Sequence, residues 1–164
     1  MTKKKHFFKL FLYSLTSLMI IITLTACSGA HKKAYYQRIS KEDKIDSRIT
    51  LEYSGDKLLK NTAENIVYYD SSSKELIEEN LKEYSKSISG IKGVVHKIEY
   101  KDGYIKEKLS VDYSKTDIKE LQEKGLIAIQ NDQKIKYISL KETVNDLKKS
   151  KYSEVKDGKF KELE

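Results

Sequence analysis

In a chain of 164 residues, 137 of which follow its only cysteine, there is room for one domain with a respectable core and none for an intrachain disulfide. The formal charge of +7 is concentrated at the start: Lys3, Lys4, Lys5 and Lys9 supply four of the 32 basic residues, and the chain beyond Cys27 holds 28 against 25 acidic ones. That near balance, with both signs interspersed, is the pattern of a solvated globular surface and removes the main support for nucleic-acid binding.

The basic start precedes a largely apolar run from Phe11 to Ile22, broken only by Ser14, Thr16 and Ser17. A charged region followed by a hydrophobic one is the pattern of a secretory signal. The run is shorter than the roughly 20 apolar residues that a membrane-spanning helix needs. Leu24, Thr25, Ala26 and Cys27 then read as a lipobox: an aliphatic residue, two small ones that let the backbone enter a signal peptidase extended, and a thiol that takes a diacylglycerol as a thioether. Residues 1–27 are therefore expected to be a lipoprotein signal ending at Cys27, with a diacylglycerol and further acyl chains such as palmitate holding the mature protein at the outer face of the cell membrane. Each buried methylene adds about 0.8 kcal/mol to such an anchor. Lipidation would use the one thiol, leaving none for a metal or for nucleophilic catalysis. The released fragment ending near Ala26 is a further candidate signal, on which the mature domain is silent.

From Ser28 to Asp46 the sequence is polar and aperiodic, which predicts a flexible tether whose Lys32 and Lys33 lie beside anionic headgroups. A single domain over residues 47–164 is expected beyond it. Ile49, Leu51 and Tyr53 alternate up to Ser54, Gly55 and Asp56, and a β-prone stretch from Lys57 to Tyr69 follows, the pattern of a hairpin. Ser72 with Glu75 fits a capping box, and Leu76, Ile77, Leu81, Tyr84 and Ile88 recur at helical spacing up to Gly90. A second hairpin runs from Val94 to Tyr113 around Asp102-Gly103. A type I′ turn there pairs Lys101 with Tyr104, and so sets His96 opposite Leu109 and Ile98 opposite Glu107. A short helix with Ile118 and Leu121 inward ends at Gly125. Weak strands are expected at Leu126–Ile129 and Ile135–Ile138 around Asn131 and Asp132. Ser139 and Glu142 cap a last helix carrying Leu140, Val144 and Leu147 on one face. The order ββαββα, weak β, α predicts an α+β domain in which two hairpins form an antiparallel sheet with helices on one face.

The lipobox, together with KLLKNTAENIVYY (Lys57–Tyr69), GIKGVVHKIEYKDGYIKEKLSVDY (Gly90–Tyr113) and ISLKETVNDL (Ile138–Leu147), resembles the YehR-like family of small bacterial lipoproteins. The resemblance covers most of residues 47 to 150. It implies a compact α+β domain at a bacterial surface and, because the family carries no assigned activity, no functional residues.

Among chemistry-bearing residues, His96 is the one histidine inside the expected domain, with Glu107 diagonal to it across the hairpin. The pair fits a structural, hydrogen-bonded imidazole, or a general base in a hydrolytic or ligand-carrying pocket. No cofactor or metal is expected, since His6 and His31 fall outside the domain and the run Glu78, Glu79, Glu83 lacks a calcium-loop pattern. Twelve tyrosines offer partner-binding surface, above all Tyr68 and Tyr69, whose side chains point to opposite sides of a strand. The function expected is that of a non-catalytic, monomeric binding domain of the cell envelope, contacting the membrane through Cys27 and another envelope protein or a wall component.

Overall fold

The computed structural model describes residues 31–69, 74–127 and 135–163. Three strands come first, β1 (Lys32–Ser40), β2 (Ile45–Ser54) and β3 (Lys57–Tyr68). Helix α1 (Lys74–Ser87) leads into the hairpin β4 (Val94–Tyr100) and β5 (Tyr104–Asp112). Helices α2 (Ile118–Glu123) and α3 (Leu140–Lys149) follow, and then a short strand β6 (Ser153–Val155). The six strands form one antiparallel sheet in the order β4-β5-β3-β2-β1-β6, so the class is α+β as expected.

The segment expected to be a flexible tether up to residue 46 is part of the sheet from Lys32 onward. Strand β1 pairs with β2 along its whole length, from Lys32 opposite Tyr53 to Ser40 opposite Ile45. The folded domain therefore begins at Lys32 rather than at 47, and β1 extends the expected first hairpin, present as β2–β3, into a meander of three strands. A fragment started at Asp46 would lack the strand that joins β2 to β6. The polar composition of β1 misled the reading because this strand uses polar side chains for packing: Tyr36 is buried on one face, and Gln37 is buried on the other.

The second hairpin has the register that alternation predicts, with His96 opposite Leu109 and Ile98 opposite Glu107. Its turn is not type I′. Gly103 is left-handed (φ 80) but Asp102 is not, which spares the Asp102 side chain the cost of that region. The Gly103 carbonyl instead accepts from the Tyr69 amide at 3.1 Å, so the turn docks on the end of β3. Between β2 and β3 the register slips at Glu52/Tyr53, a bulge that puts Leu58 opposite Tyr53.

Residues 128–134 and Ser72, on which a strand pair and a cap were expected, lie outside the described residues. The described flanks are not strand. Leu126 and Ile127 pack on the core, and Ser139 makes one isolated bridge to Lys57. Ser139 also caps α3, accepting from the Glu142 amide. Asp56 clips that helix start to the β2–β3 turn by accepting from the Lys141 amide and the Ser139 hydroxyl, both at 2.9 Å. These bonds hold the Asp56 carboxyl below its ordinary pKa.

Two apolar clusters sit on one face of the sheet. Tyr36, Ile49, Leu51 and Leu58 pack against Leu140, Val144 and Leu147 of α3. Ile88, Ile91 and Val111 pack with Leu121 of α2, which is fully buried as its helical spacing predicted. The opposite face, at the β1–β2 side, is crossed by residues 159–162.

Candidate functional site

Strand β4 delivers His96 to the helix-covered face beside Leu109, and β5 delivers Glu107 to the same face two residues along. His96 Nε2 and Glu107 Oε1 are 2.9 Å apart, and the other Glu107 oxygen accepts from Asn65 Nδ2 at 2.9 Å. The imidazole side chain is only 5% exposed. Tyr84 of α1 covers it edge to face, 5.5 Å between ring centres. Burial, and then the charge of Glu107, push the Tyr84 phenol above its ordinary pKa. A general base needs a proton donor within reach, but His96 Nδ1 is buried without a partner among the described residues. The two residues that the sequence singled out do meet, in a packed triad with Asn65 that sequence reading did not anticipate.

Among the described residues, a hollow of about 530 Å³ opens elsewhere, at the end of the sheet where β3 finishes and the β4–β5 turn begins. Tyr69, Lys74, Tyr100, Lys101, Asp102 and Gly103 line it. The Tyr69 hydroxyl donates to the Lys101 carbonyl at 2.8 Å, which fixes one wall, while Tyr100 is 49% exposed. Tyr68 lies against Tyr104, with ring centres 5.5 Å apart, on the face of the sheet opposite the helices. The two adjacent tyrosines thus have different surroundings, Tyr69 at the hollow and Tyr68 in an aromatic pair.

A third cluster escaped sequence reading. On the face opposite the helices, the fully buried Asp46 carboxylate accepts from Gln37 Nε2 at 2.7 Å and from Arg48 Nε and Nη2 at 2.9 and 2.6 Å. Gln37 also exchanges two hydrogen bonds with the backbone of Lys161, and the Arg48 guanidinium lies 5.4 Å from the centre of the Phe160 ring. The pattern Asp46-Ser47-Arg48 places Asp and Arg on the same side of β2, which is the one signal that could have revealed the pair.

Leu24, Thr25, Ala26 and Cys27 lie outside the described residues. The described residues form a small α+β domain, and relatives of the chain are described as bacterial lipoproteins. The uncharacterized lipoprotein Lin0239 of Listeria innocua is 35% identical over 141 residues, spanning 84% of this chain and 90% of its own. The uncharacterized lipoprotein YehR of Escherichia coli is 28% identical over 155 residues, 93% of this chain and 99% of its own. The chain belongs to the family described as "Protein of unknown function (DUF1307)", whose model matches residues 32–153. The NMR structure of E. coli YehR superposes with a TM-score of 0.64 at 26% identity, covering 79% of this chain and 94% of that one. An NMR structure of a Streptococcus pneumoniae protein, at 15% identity and a TM-score of 0.56, shares the fold. The resemblance to YehR-like lipoproteins read from the sequence is therefore correct, and the family match starts at Lys32, where β1 starts.

Proposed function

We propose that this protein is a non-catalytic binding domain of the bacterial cell envelope. A diacylglycerol on Cys27 holds it at the outer face of the cell membrane, and the hollow beside the β4–β5 turn receives a segment of another envelope protein or of a wall component. The observation that carries the reading is the contrast between two places. The hollow is open and carries Tyr69 and Tyr100 beside two lysines, and tyrosine is among the side chains enriched at the energetic centres of recognition surfaces. His96 is sealed under Tyr84, and its carboxylate partner is already occupied by Asn65. Tyr68, against Tyr104, extends the aromatic surface around the edge of the sheet.

The reading is tested with a photoreactive residue at Lys101 in living cells, followed by mass spectrometry of what it captures. Tyr100→Ala, at an exposed position, is expected to change stability by less than about 0.5 kcal/mol yet to abolish the specific capture. Unchanged capture in that variant would place binding elsewhere.

The competing class, a hydrolytic enzyme or carrier built on His96 and Glu107, makes the opposite forecast for His96. As a structural residue, His96→Ala should lower stability by roughly 1–3 kcal/mol through lost packing and an orphaned Glu107 oxygen. His96→Gln, which keeps a polar group near that oxygen, should cost less, and any cellular phenotype should follow stability. A His96→Gln protein with an unchanged melting temperature that fails to complement a deletion strain would favour the enzyme.

A further inference from the structure

We infer that the end of the sheet where β1 starts is a contact surface for an anionic lipid bilayer, with Tyr137 at the level of the headgroups. The inference rests on the lipid anchor at Cys27 proposed above. Only Ser28, Gly29, Ala30 and His31 separate Cys27 from Lys32, the first residue of β1. At no more than about 3.6 Å per residue, the start of β1 stays within roughly 18 Å of the anchored sulfur. Because the expected tether is a strand, the slack between Cys27 and the sheet is limited to these four residues.

Register decides which groups share that end. Strand β1 starts beside the end of β2, with Lys32 opposite Tyr53, and the β2–β3 turn brings Lys57 to its bridge with Ser139. Strand β4 starts beside the end of β5, and β6 ends opposite Tyr35. Lys32, Lys57, Lys92, Lys136, Lys141 and Lys156 gather there, all exposed, and none forms an ion pair among the described residues. Of the acids of this end, Glu52 pairs with Lys33 at 3.5 Å and Asp112 with Lys115 at 2.8 Å, Asp56 accepts at the start of α3, and Glu142 and Asp157 are exposed beside Lys141 and Lys156. Tyr137, between Lys136 and Ile138, is 45% exposed. The opposite end mixes its lysines with Glu42, Asp43, Glu75 and Asp102, whereas at the β1 start the lysines outnumber the acids, so the excess of positive charge faces one way. Lysines held within a Debye length of a surface are drawn to anionic lipid and indifferent to zwitterionic lipid. Tyrosine favours the interface between the two media.

The chain contains no tryptophan, so a single introduced one reports its own surroundings. Full-length lipidated Tyr137→Trp and Tyr100→Trp proteins are purified from cells. They are reconstituted in vesicles of phosphatidylcholine alone or with about one third phosphatidylglycerol. Circular dichroism and melting temperature establish that each variant is folded. Flotation reads the anchor by itself: protein that does not float overturns the anchoring, and this inference with it. In floating protein, Tyr137→Trp emission should shift to the blue and be quenched by brominated lipid in the anionic vesicles, while Tyr100→Trp shows neither effect. Both effects should be lost in a Lys57→Glu, Lys136→Glu, Lys141→Glu background. Equal quenching at the two positions, or quenching of Tyr137→Trp that ignores lipid charge and lysine reversal, overturns the inference while leaving the anchor standing.

Discussion

Cys27→Ala should convert the protein from a membrane-bound to an unlipidated form without altering its folded domain. The chain has one cysteine, so no second thiol can take the diacylglycerol. Two or three acyl chains contribute far more binding energy than the few charges of the domain, at about 0.8 kcal/mol per buried methylene against about 1 kcal/mol per lysine near an anionic surface. Metabolic labelling with a fatty acid should therefore mark the wild-type protein and leave the variant blank, and cell fractionation should move the variant out of the membrane pellet. The domain begins five residues later, at Lys32, so its melting temperature should be the same with and without the anchor. Label in the Cys27→Ala protein would show that the lipobox assignment is wrong.

The second large effect is expected at Asp46. Replacing it with alanine leaves the Arg48 guanidinium, 12% exposed, without its main counter-charge and removes an acceptor from Gln37. Breaking one side of a buried ion pair costs about 3–5 kcal/mol, much of it from the stranded partner. For a domain of this size that should lower the melting temperature by on the order of 10–20 °C. A double replacement, Asp46→Leu with Arg48→Met, removes both charges and should recover most of the loss, because the pair itself contributes little beyond an apolar match. Thermal unfolding of the three proteins reads the result. If the double variant is as unstable as Asp46→Ala, packing of Phe160 on the guanidinium matters more than charge pairing, contrary to this account.

What could be read from the sequence follows from how each element satisfies its polar groups. The β4–β5 register was legible because Val94, His96, Ile98 and Tyr100 alternate strictly and one face is polar. Helix α3 was legible because its cap, Ser139, and its apolar face are both local. Strand β1 was not, since Gln37 and Arg38 gain their partners from residues far along the chain: Lys161 for the first, and the Tyr152 ring, 5.4 Å away, for the second. A window of a few residues sees such side chains as solvated. The same reason hid the Asp46 cluster, whereas the His96–Glu107 contact, across one tight hairpin, could be anticipated. The expected partner residues Tyr68 and Tyr69 were chosen for their alternation, and the hollow added Tyr100 through a turn that sequence spacing does not reach.

Gln37 and Lys161 are 124 positions apart, yet each closes the other's hydrogen bonds. On the export route proposed above, the domain would emerge beginning with β1, so the first strand to appear would be among the last to be completed. Closing so long a loop is slow relative to local hairpins, and until residue 161 is outside, Gln37 and Arg48 lack their backbone acceptor. Export and folding are thereby put in order: the meander can form early, but the finished domain exists only after the whole polypeptide has crossed. Products cut short before Phe160 should fold with that polar seam open to water and melt at a lower temperature than the full chain.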